Sequence, residues 1–423
     1  MAARANGGHR ERRIEKLEGP TPQRGYPDPM DQKGVLLTGA TGFLGGEVLA
    51  RMLEADEGPV YALVRADDDD AAQKRLDAVV SALLGQPDGH PQAVAIAGDV
   101  TSDGLGLEPG RRERLAGVVD AIIHCAASVS FTLGLEESRE INLEGTRRVL
   151  EFGELCAERE GLDYLLHVST AFVAGTFKGR FGENDLDRGQ RFRNGYERSK
   201  FEAEQLAREF GDRGLPVQVV RPSIVVGDSR SGWTSTFNVL YGPMRAFSVG
   251  AIPIVPARRH SPVDVVPVDY VADAIFALRG RPGTTFNLTA GDDASDVAEL
   301  IELATSYTGR RAPLLVPPTL YRRIAHPIML RTHGKRRRRA LRRGEALFSY
   351  FTMRMHYDDS GARAILEPAG VRMPPLRTYF DRLMDFAESA GWGRNVPTRF
   401  EATREGPPPS SPTASGRAAT QPG

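Results

Sequence analysis

The chain has 423 residues, with 55 basic and 55 acidic side chains and a formal net charge of zero, so bulk charge offers nothing to a nucleic acid. Two cysteines, Cys125 and Cys156, are too few for a disulfide framework and sit in no metal-ligand pattern. The apolar run nearest to a membrane span, Val249 to Val255, is broken by Gly250 and Pro253, and the first thirty residues lack the apolar core of a secretory signal. The expected setting is cytoplasmic.

Residues 1–32 carry Arg, Glu, Gly and Pro without apolar periodicity and are expected to form a disordered arm, with Met30 as a second candidate start. The run VLLTGATGFLG, Val35 to Gly45, then reads as a short buried strand, a glycine turn and the start of a helix. Gly39, Thr41, Gly42, Phe43, Leu44 and Gly45 would bring backbone N–H groups and a helix N-terminus under the pyrophosphate of a dinucleotide. The bland alternative is a turn that needs glycine for its own sake. VYALVR, ending at Arg65, is the second strand, and Leu76, Val79, Val80 and Leu83 mark one face of the next helix. AVAIAGDV (Ala93 to Val100), AIIHCAA (Ala121 to Ala127), YLLHVST (Tyr164 to Thr170) and VQVVRPSIVVG (Val217 to Gly227) supply four further strands. Helices are expected over about 136–158 and 196–210. Near-continuous apolar strands alternating with helices predict an α/β, doubly wound parallel Rossmann sheet.

The domain reading places the dinucleotide-binding unit at 33–290, with a loop-rich substrate segment at 228–260. Within it, PVDVVPVDYVADAIFAL (Pro262 to Leu278) reads as strand then helix, and TFNLTAG (Thr285 to Gly291) as a last strand. A smaller, mainly helical C-terminal substrate region follows over 291–400, and 401–423, rich in Pro, Ser, Thr and Gly, is expected to be a disordered tail.

Where NAD-specific sheets end their second strand with an acid for the ribose hydroxyls, this chain has Arg65, and Arg75 lies on the following helix. Both suit the extra phosphate of NADP(H), with NAD(H) as the alternative and the acidic run Asp67 to Asp70 as the contrary sign. Asp99 and Val100 fall where adenine would lie. Tyr196 and Lys200, four apart, share one helix face. An ammonium beside a phenol draws its pKa from about 10 toward neutrality and makes a general acid near working pH. Ser169 and Thr170 offer hydroxyls at the end of the fifth strand, one of them to hydrogen-bond a substrate carbonyl oxygen.

Taken in order, TGATGFLG, GDV, HCAA, Asn142 in NLEGT, HVST, YERSK and RPSIVVG resemble the extended short-chain dehydrogenase/reductases across residues 33–290. LVRADDDDAAQKRL, HCAASVSF and HVSTAFVAGT resemble the thioester-reductase and fatty acyl-CoA reductase branch, also called male-sterility proteins. In the substrate segment Trp233, Asn238 and Gly242-Pro243 are similar to that branch, whereas Phe201 stands where its members often carry tryptophan. The resemblance implies Thr170 as the hydroxyl, Tyr196 as the acid and Lys200 as its partner and a holder of the nicotinamide ribose. It implies Ala126, Pro222, Ser223 and Ile224 along the nicotinamide. The implied reaction is reduction of an acyl thioester, long-chain acyl-CoA or carrier-bound and delivered in trans, by hydride from NADPH to an aldehyde and onward to an alcohol. The alternatives are a sugar-nucleotide epimerase or dehydratase, a 3-beta-hydroxysteroid dehydrogenase-type enzyme, and a non-catalytic NADPH-binding scaffold.

KRRRRALRR, Lys335 to Arg343, contains no acid. A solvated helix face is the bland reading. The functional ones are contact with coenzyme A or carrier phosphates and peripheral attachment to the anionic inner membrane surface.

Overall fold

The apolar runs read as strands in the first 290 residues form strands in the computed structural model, which describes residues 30–404 apart from 31, 238, 322 and 324–349. The expected arm over 1–29, the tail beyond 404, Asn238 and the basic segment Lys335 to Arg343 lie outside the described residues. The strands are β1 (Gly34–Thr38), β2 (Val60–Val64), β3 (Ala93–Ala97), β4 (Val119–His124), β5 (Tyr164–Val168), β6 (Val217–Pro222) and β7 (Thr285–Leu288). All pair in parallel, in the spatial order β3-β2-β1-β4-β5-β6-β7. The predicted α/β doubly wound sheet is therefore present.

Strand alternation divides the apolar side chains between two faces. Leu37, Ile123 and Leu166 point into one buried layer with α1 (Phe43–Ala55), α2 (Asp69–Leu84) and α8 (Val268–Leu278). Leu36, Ile122 and Leu165 point into the other, with α3 (Pro109–Ala116), α5 (Gly145–Arg159) and α6 (Gly195–Asp212). The helix expected over 136–158 comes as α4 (Leu135–Arg139), a π-helical turn at Glu140–Glu144, and α5. Asn142 sits in that turn, its side-chain carbonyl accepting from Ser128 N at 2.8 Å and its amide donating to Ser128 O and the Ser199 hydroxyl. The extra residue per turn lets the helix carry this inward amide.

Two expectations change, the sixth strand and the start of the tail. The single strand read over Val217 to Gly227 is two, because Pro222 has no N–H to continue the ladder. β6 ends there, and Ile224–Val226 pairs instead with Val265–Pro267. The region after 290 is mainly helical among its described residues, as expected, with α9 (Val297–Thr308), α10 (Ser360–Leu366) and α11 (Phe380–Ser389), and adds short strands at Leu314–Val316 and Met355–Tyr357. These strands pair with Ile254–Pro256 and Gly179–Phe181, so their partners are far away in sequence. The tail begins too early at 401, since α12 (Arg399–Arg404) folds back on α2. Arg399 pairs with the buried Glu47 carboxylate at 2.8 Å and donates to Leu83 O at 3.1 Å. The substrate segment 228–260 also holds α7 (Tyr241–Ser248), and Trp233 within it is buried against Phe43, ring centroids 5.7 Å apart, with its indole N–H on Pro397 O.

Candidate active site

Parallel strands deliver their carboxyl ends to one edge, and the order reverses at β1 and β4, which opens a crevice between them. At the end of β1 the three glycines divide the work by geometry. Gly39 has φ +79°, and a Cβ there would lie 2.7 Å from Ala126 N. Gly45 packs α1 on the turn so closely that a Cβ would stand 2.1 Å from Gly39 O. Gly42 is the exposed N-cap of α1, where a Cβ meets only Gly39 O at 3.2 Å, so its open side faces the crevice together with the exposed Thr41. Phe43 and Leu44, half-buried, begin the helix. These features fit a pyrophosphate bound on backbone amides. Gly42→Val is expected to lower NADPH affinity at least tenfold while the circular dichroism and thermal midpoint stay near wild type, whereas Gly45→Ala is expected to damage folding itself. Equal damage to folding by both, measured by thermal melts, would count against this division.

An open cleft of about 970 Å³ lies beyond the ends of β2 and β3, lined by Arg65, Lys74, Arg75, Asp99 and Arg111 among others. Lys74 and Arg111, which the sequence reading does not single out, stand on α2 and α3. The acidic run that argued against a phosphate is partly committed elsewhere: Asp68 caps α2 through Ala71 N at 2.7 Å, and Asp69 takes Ala97 N and pairs with Arg111 at 2.7 Å. Arg75 donates to Arg65 O, which keeps the two arginines together. Asp99 turns the chain by accepting from Thr101 N at 2.9 Å, and Val100 is buried in the core below it.

Ser169 and Thr170 separate clearly. The Ser169 hydroxyl donates to buried Glu204 at 2.7 Å and is consumed there. Thr170, also buried, accepts from Phe172 N at 3.3 Å and is hydrogen-bonded to the Tyr196 phenol. Tyr196 and Lys200 lie on α6, whose first turn is capped by Asn194 through Glu197 N at 2.9 Å. Lys200 donates to Val168 O at 2.8 Å and lies 3.4 Å from His167 Nε2. The expected descent of the tyrosine pKa is not found: burial pushes the phenol up to about 12, with the neighbouring Glu197 charge also raising it and the Thr170 bond opposing. Burial instead holds Lys200 down to about 8, against the charge of Glu204. A phenol that stays protonated through neutral pH is a proton donor in wait. Because the buried ammonium is lost above its pKa, kcat for reduction is expected to fall as pH rises through about 8. In Lys200→Arg the residual rate should be flat across that range.

His124 sits on β4 opposite Thr38 of β1 and beside His167 of β5, ring centroids 5.3 Å apart. Burial takes His124 down to about 3 and His167 well below its ordinary value, so both are neutral. Thr146 donates to Asn142 O at 2.6 Å, which leaves its oxygen to accept from His124 Nε2–H at 3.1 Å. The other ring nitrogen then accepts from Thr38, 2.7 Å away, and Thr38 accepts from Ala126 N at 3.2 Å. Ala126 is thereby fixed behind Gly39. Pro222, Ser223 and Ile224 are buried where β6 ends, with Thr170 3.4 Å from Pro222 O.

The glycine turn, the cleft of mixed charge, in which Asp67, Asp68, Asp99 and Glu108 stand among the four basic side chains, and the Thr170, Tyr196 and Lys200 cluster thus share one sheet edge. Among known proteins, the chain is 32% identical over 260 residues to the non-canonical nonribosomal peptide synthetase FrzA of a Cladobotryum species, covering 59% of this chain and 25% of that protein. It is 29% identical over 333 residues to fatty acyl-CoA reductase 1 of Homo sapiens, covering 68% of this chain and 64% of that protein. It therefore spans about a quarter of the first relative and just under two thirds of the second. The terminal R domain from the myxalamid PKS-NRPS biosynthetic pathway superposes with a TM-score of 0.71 at 25% identity, over 85% of this chain and 92% of that one. The family model described as male sterility protein matches residues 37–275, more than half of the sequence, and the chain belongs to that family.

Proposed function

We propose that the protein is an NADPH-dependent reductase of acyl thioesters, with coenzyme A or a carrier protein as the thiol. The observation that carries this reading is the Tyr196 phenol, buried against Thr170, with Lys200 one turn along the same helix. Gly39, Thr41, Gly42, Phe43, Leu44 and Gly45 would hold the pyrophosphate, Asp99 and Val100 would border adenine, and Ala126, Pro222, Ser223 and Ile224 the nicotinamide. Arg65 and Arg75, aided by Lys74 and Arg111, favour the 2′-phosphate of NADP over NAD through charge-assisted bonds. When bound, the nicotinamide supplies a hydride to the thioester carbonyl.

The chain's own part is electrostatic and protonic. Thr170 hydrogen-bonds the carbonyl oxygen, and Tyr196 delivers its proton as negative charge grows there. Lys200 holds the ribose and keeps a positive charge under the phenolate so formed. The resulting hemithioacetal expels its thiol to leave an aldehyde, and a second reduction gives the alcohol. On the same proposal residues 33–290 are the nucleotide unit and the described part of 291–400 belongs to the substrate-side unit. Among the described residues no helix is long and apolar enough to cross a membrane.

NADPH oxidation against acyl-CoA and carrier-bound acyl groups of graded length, sugar nucleotides and steroids tests this, with NADH in parallel. Consumption with thioesters alone is the expected result. Turnover of sugar nucleotides or steroids with NAD, and none of thioesters, would overturn it.

A further inference from the structure

Tyr350 belongs to a short 3-10 turn (Tyr350–Thr352), about 150 residues beyond α6, yet it is buried against the start of that helix. Its hydroxyl donates to Glu197 Oε1 at 2.9 Å and accepts from the amide of Asn194, the α6 cap, at 2.9 Å. Glu197 is fully buried and follows Tyr196 directly. Its carboxylate also takes Arg193 N at 2.9 Å and the Arg193 guanidinium at 3.0 Å. The Tyr350 ring stacks on Phe131 at 5.2 Å and meets Phe172 edge-on at 4.9 Å. Phe131 in turn lies edge-on to the Tyr196 ring at 5.5 Å, and Phe172 accompanies the Thr170 hydroxyl. One side chain from the C-terminal region thus touches a neighbour of each group in the proton-donating pair.

We propose that Tyr350 and Glu197 are positioning residues for Tyr196, so that the proton donor is held against Thr170 only when the 350–352 turn is docked on α6. This rests on the reductase reading above. The first turn of a helix has unpaired N–H groups and is the part most ready to fray. Here it is fixed by a cap and a buried carboxylate, and both are tied to Tyr350. A slack first turn would leave the nucleotide site intact, because Lys200 is secured a turn later by Val168 O. The effect is therefore expected on the rate of the protonation-coupled step rather than on nucleotide binding.

The experiment is a double-mutant cycle between Tyr350→Phe and Tyr196→Phe, read as single-turnover NADPH oxidation on the best thioester of the panel. A simple aromatic aldehyde, whose reduction calls on the same phenol without thioester chemistry, is run in parallel. Tyr350→Phe keeps the ring stack and is expected to lower the rate at least tenfold, with KM for NADPH within twofold. In the Tyr196→Phe background the same change should cost less than twofold. Glu197→Leu, which removes the acceptor of the Tyr350 hydroxyl, should show the same cancellation and stands in if Tyr350→Phe fails to fold. Equal losses in both backgrounds, a wild-type rate, or a loss confined to KM would overturn the proposal. Loss of thioester turnover in the wild type, with aldehyde turnover and the cycle intact, would sink the thioester reading and spare this one.

Discussion

Tyr196→Phe is expected to lower kcat for thioester reduction by about 10²- to 10⁴-fold, the range for loss of a positioned general acid. The phenol is buried and partnered by Thr170, so the change removes one hydroxyl and leaves the ring against Phe131. NADPH affinity should stay within a few-fold of wild type, because the change leaves the glycine turn and the cleft beyond β2 and β3, proposed to hold the nucleotide's phosphates, untouched. Single-turnover kinetics with a fluorescence titration of NADPH separate the two. A rate within threefold of wild type would assign proton donation to another group and would reopen the scaffold reading.

The second large effect falls on stability. Arg221 and Glu204 are both fully buried and pair through Nη2 at 2.6 Å and through Nε at 3.0 and 3.1 Å. Arg221 also donates to the carbonyls of Gly182, Glu183 and Asp185, and Glu204 holds Ser169 and Arg208. This network binds β6, α6 and the 182–185 loop behind the Thr170 hydroxyl. Removing Arg221 leaves the buried carboxylate to Arg208 and Ser169 alone and strands three carbonyls, so Arg221→Met is expected to cost about 3–5 kcal/mol in urea unfolding. Arg221→Met with Glu204→Leu should recover part of that, since the under-paired carboxylate goes, while the three carbonyls, Arg208 and Ser169 remain unserved. A single-mutant cost below about 1 kcal/mol would mean that water or local rearrangement rescues the charge.

Both effects bear on what could be read in the chain. The glycine turn and the seven strands were legible because their signals are local: a strand, a turn and a helix start within eleven residues, and apolar runs of strand length. Thr170, Tyr196 and Lys200 were legible through spacing and order. The choice of Thr170 over Ser169 was not visible in the residues themselves, because it is decided by Glu204, 35 positions away. The phenol's pKa was misjudged for a related reason. Four residues of spacing bring Lys200 to the same face, but its ammonium is spent on Val168 O, and burial, a property of the assembled fold, raises the phenol. Glu197 with Tyr350 and Gly179–Phe181 with Met355–Tyr357 join segments separated by 150 residues or more, and no local pattern announces them. The strand break at Pro222 was written in the sequence and passed over, because the apolar residues continue straight through it.

Trp233 offers one more consequence. It is one of two tryptophans in the chain, the other being Trp392, and its indole lies on Phe43, the residue that follows Gly42 at the head of α1. The fold has thus placed a fluorophore one ring away from the pyrophosphate turn. With Trp392→Phe, emission excited near 295 nm would come from this single site. Arrival of NADPH should then quench it, by energy transfer to the reduced nicotinamide as well as by any shift of the ring, giving an optical titration that needs neither label nor turnover.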